Sequence, residues 1–334
     1  MNVHDYLSDD GHAVLALCSP LGLSKTGGEE VSPLTLSDWN EIENKIKASS
    51  FKRPSELQGR SAEEISRELS LAPAEAEQIS LLLGRMGPLA LELETYFSRG
   101  MWAITRLDER YPGRLRDTLK HQAPSVLFGA GDIRLLQRAG VAVVGSRNID
   151  EKGAAFAREI GAKTVAASLP VVSGGARGTD RLAMDGAIQA EGVAIGALAD
   201  SLEATIRKPD VQPLLADERL VLVTPYSPAA GFSVGAAMGR NKVIYGLSKF
   251  AVVVSSDFKT GGTWAGAVEA LKGRWCPVFV REGAELPKGN RELIKMGAAA
   301  LQEQELGKLG NLAEWMEEHA NKRPTEQDLF GARV

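Results

Sequence analysis

Cysteine and histidine are scarce in this chain: 334 residues hold 2 Cys and 4 His. Cys18 and Cys276 lie far apart, which excludes a disulfide framework and fits a cytoplasmic protein. His4, His12, His121 and His319 lack metal-ligand spacing. No histidine occurs between residues 122 and 318, so that stretch has neither a His-based triad nor a His metal site. No apolar run approaches the ~18–20 residues of a membrane span. The first residues lack a basic start, and Asp5, Asp9 and Asp10 argue against a secretory signal. A Gly-x-x-x-x-Gly-Lys-Ser/Thr loop is absent, as is a Gly-x-Gly-x-x-Gly turn, which disfavours a P-loop ATPase and a dinucleotide enzyme. Neither a cofactor nor a metal is expected. Charge of one sign is also missing: the net value is −4. Residues 140–300 carry 19 Lys and Arg against 16 Asp and Glu, so the middle is mildly basic and the flanks acidic. A solvated surface accounts for this about as well as a polyanion site.

What is present divides into three parts. Residues 1–98 read as a helical N-terminal domain. Thr35-Leu36-Ser37-Asp38 starts a helix through Trp39, Ile42 and Ile46, and Ser61 with Glu64 forms a capping-box pattern. Ala72-Pro73 interrupts before Ile79, Leu82 and Leu83 resume a helical period. Such a bundle is more often a packing module than a DNA grip. Residues 99–301 form the core with its leading extension: strands at Met101–Thr105 and near Val126–Gly129, then alternating strands and helices from Val141. Strands are expected at 141–145, 170–173, 193–198, 219–223, 250–255 and 276–280. Helices fill 151–168, 178–191, 211–217, 233–248 and 262–273. Short, near-continuous apolar strands spaced by helices indicate an α/β fold, a doubly wound and mostly parallel sheet covered on both faces. Residues 302–334 form a short acidic tail with one helix around 312–319.

Four clusters fall where strands end. They are Gly145-Ser146-Arg147; Ser173-Gly174-Gly175-Ala176-Arg177 with Asp180; Arg240-Asn241-Lys242; and Gly261-Gly262-Thr263. A buried strand that opens into a helix leaves backbone N–H groups at the turn, and an arginine there adds a bidentate phosphate donor. Taken singly, each cluster has a plain structural reading. The glycines allow close packing, Arg177 and Asp180 make an internal ion pair, and Thr263 caps a helix. Together they place donors, hydroxyls and cations on one sheet edge, which favours a phosphate-bearing ligand. Asp180, Asp257 and Glu269 are the acid/base candidates near that edge, and none has an evident partner in sequence.

These clusters resemble the DNA-processing protein A family (DprA, also called Smf). Val141-Ala142-Val143-Val144-Gly145-Ser146-Arg147 is similar to that family's first strand and turn. Ser173 to Asp180, Arg240 to Ser248, and Gly289-Asn290 to Gly297-Ala298 resemble its later motifs in order. The resemblance spans roughly residues 100–300. It implies a Rossmann-like core that binds single-stranded DNA, forms a homodimer and loads a RecA-type recombinase during transformation, and no catalysis. By motif, Gly145, Ser146 and Arg147 hold one backbone phosphate; Ser173, Gly174, Gly175 and Arg177 the next; Arg240, Asn241, Lys242, Gly261, Gly262 and Thr263 line the same groove. The family's stacking phenylalanine is Ala237 here, which leaves Phe232 and Trp264 as nearby aromatics. Pro225-Tyr226-Ser227-Pro228 and Thr260-Gly261-Gly262 also depart from the pattern. A divergent branch with a phage-defence role and a dedicated operon partner is an open alternative. Two others remain: a nucleotide-binding sensor or phosphoribohydrolase-like enzyme, though Glu269 sits six residues after Thr263 rather than at that group's spacing, and an interaction module with a vestigial groove.

Overall fold

The computed structural model describes residues 7–23 and 31–320. His4, Asp5 and the last part of the expected tail, 321–334, lie outside the described residues. Contacts divide the chain into two compact units. One holds the residues up to Tyr111 together with Lys120–Ala130 and Thr224–Ala230. The other holds Pro112–Leu119, Gly131–Val223 and the residues from Gly231. The strands Met101–Thr105 and Val126–Ala130 of the leading extension thus fall in the same unit as the N-terminal helices. Among the described residues no helix is long and apolar enough to cross a membrane.

The first unit contains α1 (Asp9–Cys18), α2 (Leu36–Ala48), α3 (Ala62–Leu69), α4 (Pro73–Gly84), α5 (Met86–Ser98), β1 (Met101–Thr105) and β2 (Val126–Ala130). Capping starts its helices. Ser61 Oγ accepts from the Glu64 amide at 3.2 Å, while Glu64 Oε2 accepts from the Ser61 amide at 3.1 Å. Thr35 and Asp38 make the same reciprocal cap on α2, and Pro73 opens α4, where its missing N–H costs nothing. The sequence pattern runs α4 into α5; the structure breaks them at Arg85. That buried guanidinium donates to the Ala16, Ser19 and Leu21 carbonyls and satisfies the end of α1. The strands β1 and β2 pair antiparallel, with Ala103 opposite Phe128.

The second unit begins with α6 (Gly113–Leu119) and continues β3 (Gly140–Gly145), α7 (Glu151–Ala166), β4 (Val171–Ser173), α8 (Thr179–Gln189), β5 (Ala194–Ala197), α9 (Leu202–Thr205), α10 (Gln212–Ala216), β6 (Leu220–Thr224), α11 (Val234–Gly246), β7 (Ser248–Ser255), α12 (Gly261–Gly273), β8 (Val278–Glu282), α13 (Lys288–Lys295), β9 (Ala299–Gln302) and α14 (Leu312–His319). The strands β3 to β9 pair in parallel in the order β6-β5-β4-β3-β7-β8-β9. Val141 stands opposite Val171, Val172 opposite Ile195, and Ile195 opposite Val221. All are buried, as the unbroken apolar runs require of a sheet covered on both faces. The helices α7 and α8 touch closely: a Cβ at Gly161 or Gly186 would lie 2.2 Å from the Ala183 or Arg158 carbonyl oxygen.

Two elements differ from expectation at the C-terminal side. The strand β9 has no β-branched residue and exists through its register with β8, Phe279 opposite Ala299. Residues 302–320 pack onto this unit rather than standing apart as a tail. Trp315 meets Phe279 at 5.6 Å between ring centroids, and Leu312 and Met316 are buried.

Candidate functional site

The chain runs from β3 through β4 and β5 to β6 on one side, then returns to place β7 on the other side of β3. Such a reversal opens a crevice above the carboxyl ends of the two strands. A cavity of about 360 Å³ occupies it. Gly145, Ser146 and Arg147 border it after β3; Ser255, Ser256 and Asp257 border it after β7. Gly261, Gly262 and Thr263 border it from the start of α12, and Ala237, Arg240 and Asn241 from α11. A buried strut fixes the β7 end. Asn290 Oδ1 accepts from the Ser256 amide at 2.8 Å, and its Nδ2 donates to the Val254 carbonyl at 3.1 Å. Asn241 Nδ2 donates to the Gly262 carbonyl at 3.0 Å, so this side chain ties α11 to α12. Thr260, not Thr263, is the N-cap residue of α12.

The other predicted residues stand elsewhere. Gly174, Gly175 and Arg177 border a neighbouring cavity that shares Arg147, Ala176, Phe232 and Arg240 with the first. Ser173 is fully buried and its Oγ donates to the Val143 carbonyl at 2.6 Å, a strand-to-strand tie with no path to a ligand. Lys242 borders neither cavity and pairs with Glu269 at 3.1 Å.

Four amides of the β3 and β4 turns are spent inside the protein. Asp180, buried at the start of α8, accepts from the amides of Gly174, at 3.1 Å, Ala176 and Gly145. The Ser146 amide donates to the Ser255 carbonyl at 2.9 Å. The nest that sequence alone assigns to a phosphate therefore already holds an anion, and the Asp180 carboxylate is that anion. Its cation is Arg240 rather than Arg177. The buried Arg240 guanidinium donates to the Gly174 carbonyl at 2.8 Å and to that of Ala197. A Cβ on Gly174 would lie 2.2 Å from Arg240 Nη1, so glycine is what lets this guanidinium pass. Arg240 is thus a strut beneath the site, not a side chain reaching into a groove.

Burial pushes the Asp180 carboxyl up to about 6, against the pull of Arg240 and the three amides. Between pH 3.8 and about 6 the folded chain binds this proton more tightly than the unfolded chain does. The group's contribution to stability is full below pH 3.8 and is lost as pH rises through about 6. We expect the stability difference between the parent protein and Asp180→Asn to change across that window, read as urea midpoints at pH 4, 5, 6 and 7. A pH-independent difference would remove Asp180 as the titrating group.

The open donors are side chains. Arg147 and Arg177 are both exposed, and among the described residues neither has a carboxylate partner. Arg147 lies over the Phe232 ring at 5.1 Å, and Arg177 donates to Asn148 Oδ1 at 3.3 Å. Phe232 is 52% exposed and stands just before α11 on the segment that carries Ala237. Trp264 instead packs edge-on against Phe258, with centroids 5.0 Å apart. Phe258 in turn holds Lys259 and Lys288 at 5.1 and 4.7 Å from its ring. Sequence reasoning misses this cluster, although Asp257-Phe258-Lys259 follows β7 after a single residue, Ser256. An aromatic beside lysines at a strand end is the signal that marks it. The edge therefore offers cations and ring faces more than an amide cradle, an arrangement suited to a flexible polyanion that carries flat bases.

Residues 102–308 match the family model of DNA recombination-mediator protein A. DNA processing protein DprA of Streptococcus pneumoniae is 31% identical over 197 residues, which cover 58% of this chain and 68% of that protein. The X-ray structure of DprA from the same organism aligns with a TM-score of 0.67 at 21% identity, over 91% of this chain and 99% of that one. A DprA structure from Helicobacter pylori, described for its single-stranded DNA binding mode, aligns at 0.51 and 22% identity over 66% and 97% of the two chains. At these identities the two structures support the mostly parallel α/β fold, while family membership rests on the family model. With more than half of its length matched, the chain belongs to the family of DNA recombination-mediator protein A.

Proposed function

We propose that this chain binds single-stranded DNA through its backbone phosphates, in the service of DNA processing and recombination. The observation that carries this reading is the pair Arg147 and Arg177. Both are exposed guanidiniums without carboxylate partners among the described residues, on adjoining turns at the carboxyl ends of β3 and β4, and Phe232 borders the same cavities. Contacts of this kind track a backbone without reading base edges. The H. pylori structure's description supports the same ligand for a relative. A RecA-type recombinase as recipient of the strand and a homodimer as the working state are what the resemblance implies.

We read no chemical step into the site. The Asp180 carboxylate is engaged inside the fold, and Glu269 is paired with Lys242. Burial pushes the Cys276 thiol up to about 12, far from a ready nucleophile. Mobility shifts with a single strand, its duplex and nucleoside monophosphates across a salt series test the reading. The single strand is expected to be retained best, with affinity falling as salt rises. Equal retention of duplex, or binding of the monophosphates alone with release of free base, would sink it.

A further inference from the structure

Four neighbouring strands, in the order β4-β3-β7-β8, end along one stretch of the sheet edge. Adjacent strands lie ~4.8 Å apart, so the side chains that follow them fall in a row. Arg177 follows β4 and Arg147 follows β3; Lys259 follows β7, and Lys288 opens α13 after β8. The two lysines stand outside the cavities already described. Asp257, the single acid of residues 255–263, borders the switch-point cavity, whereas Phe258, Lys259 and Lys288 border neither that cavity nor its neighbour. Their placement is nonetheless fixed. Trp264 meets the Phe258 ring edge-on, with centroids 5.0 Å apart. Lys259 and Lys288 lie over that ring at 5.1 and 4.7 Å. The backbone at Lys259 is left-handed, with φ 58°, a conformation that residues other than glycine seldom adopt. A Cβ on Gly289 would lie 2.1 Å from the Ser256 carbonyl oxygen, so glycine is what lets the start of α13 approach the β7 turn.

Exposed lysines ordinarily reach a nearby carboxylate or spread into water. Lys295, two turns further along α13, pairs with Glu292 at 3.0 Å. Lys259 and Lys288 are also exposed, yet among the described residues neither has a carboxylate partner, and both converge on one ring. The ring face attracts each ammonium, but two ammoniums over one ring repel each other. An anion relieves that repulsion, and the ring already bears part of the ordering cost of receiving one. A lone phosphate at two solvated lysines is held weakly. A phosphate joined to a strand anchored at Arg147 arrives at high effective concentration. A row of cations matches an anion that repeats at every residue, which favours a nucleic-acid backbone over an acidic peptide. We infer that a single strand held at Arg177 and Arg147 runs on across the strand ends and sets its next phosphate between Lys259 and Lys288. This rests on the single-strand reading above and gives that strand a path, past the crevice and over β7 towards β8.

The test titrates a pyrimidine strand of ~12 nucleotides, within the span of single-strand sites, on the full chain and on the double variant Lys259→Gln with Lys288→Gln, across a salt series. The double variant is expected to lose about tenfold in affinity, and its slope of log K against log salt to fall by ~0.7, for one phosphate no longer neutralised. Lys288→Gln alone is expected to lie between the two. Lys295→Gln removes a paired cation from the same helix and is expected to keep the parent's slope and its affinity within about twofold. The altered side chains are exposed, so thermal melts should match the parent's. Stoichiometry tests continuity: wild type and double variant are expected to take up the same number of strands per chain. Parent-like affinity and slope in the double variant, or the loss of a whole strand per chain, would overturn the track. So would polyglutamate binding that disappears in the double variant while strand binding is kept, the mark of a docking face for acidic protein. If wild type retained no strand at low salt, the single-strand reading itself would fall instead, so the two failures are separable.

Discussion

Asp180→Ala is expected to lower stability by about 3–5 kcal/mol, the usual cost of removing one partner from a buried charge pair. The Asp180 carboxylate accepts from the amides of Gly145, Gly174 and Ala176. Without it, three amides lose their acceptor, the Gly174 amide in a buried position where an unsatisfied group costs roughly 1–3 kcal/mol before relaxation. Arg240 loses its counter-charge while its guanidinium stays committed to the Gly174 and Ala197 carbonyls. For a domain of this size each kcal/mol shifts the melting temperature by ~2–4 °C, so a fall of roughly 6–20 °C is expected in calorimetry. Asp180→Ala combined with Arg240→Met should cost less than the sum of the two single changes, because the second removes the charge that the first strands. A loss under about 1 kcal/mol, or strict additivity, would show that the pair does not staple the β3 and β4 turns together.

That staple marks where reading the sequence stops short. Runs such as Val141–Val144 and Leu220–Val223 are visible because a strand buried on both faces must be apolar throughout. The parallel sheet follows from the alternation of strands and helices, whereas the strand order that makes the switch point is seen only in the structure. The strand β9 is invisible because Ala299–Gln302 takes its conformation from β8, not from its own composition. Asp180 is harder still. Its sequence neighbour Arg177 is the obvious cation, but the strand end aims Arg177 outward while Arg240 arrives from α11. The same geometry turns Gly174 from a phosphate turn into a passage for a guanidinium. Motif spacing shows which residues gather at the edge, but not which of them face inward. Facing depends on register and on helices contributed from far along the chain. Gly145, Ser146, Arg147, Arg240, Asn241, Gly261, Gly262 and Thr263 gather at one cavity, with the Arg240 guanidinium committed to the Gly174 carbonyl, whereas Ser173 ties two strands together and Lys242 pairs with Glu269.

Because the Gly145, Ser146, Gly174 and Ala176 amides are occupied, the proposed affinity for a single strand leans on few side chains, and removing two should be severe. Arg147→Ala with Arg177→Ala is expected to weaken single-strand binding by about a hundredfold or more at low salt, since a charge-assisted hydrogen bond is worth roughly 1.5–3 kcal/mol. The slope of log K against log salt should fall by about 1.4, at ~0.7 for each single-strand phosphate that is no longer neutralised. Both side chains are exposed, so stability should stay within about 0.5 kcal/mol of the parent and the weaker binding cannot be ascribed to unfolding. The matching Lys pair separates charge from shape. Lysine keeps the cation and hence most of the salt slope, but lacks the planar fork that spans two phosphate oxygens and, at position 147, the stacking on Phe232. It should therefore fall between the parent and the Ala pair in affinity while retaining the parent's slope. An Ala pair with the parent's slope would mean that the strand lies elsewhere, with Lys259 and Lys288 around Phe258 as the next cations to test.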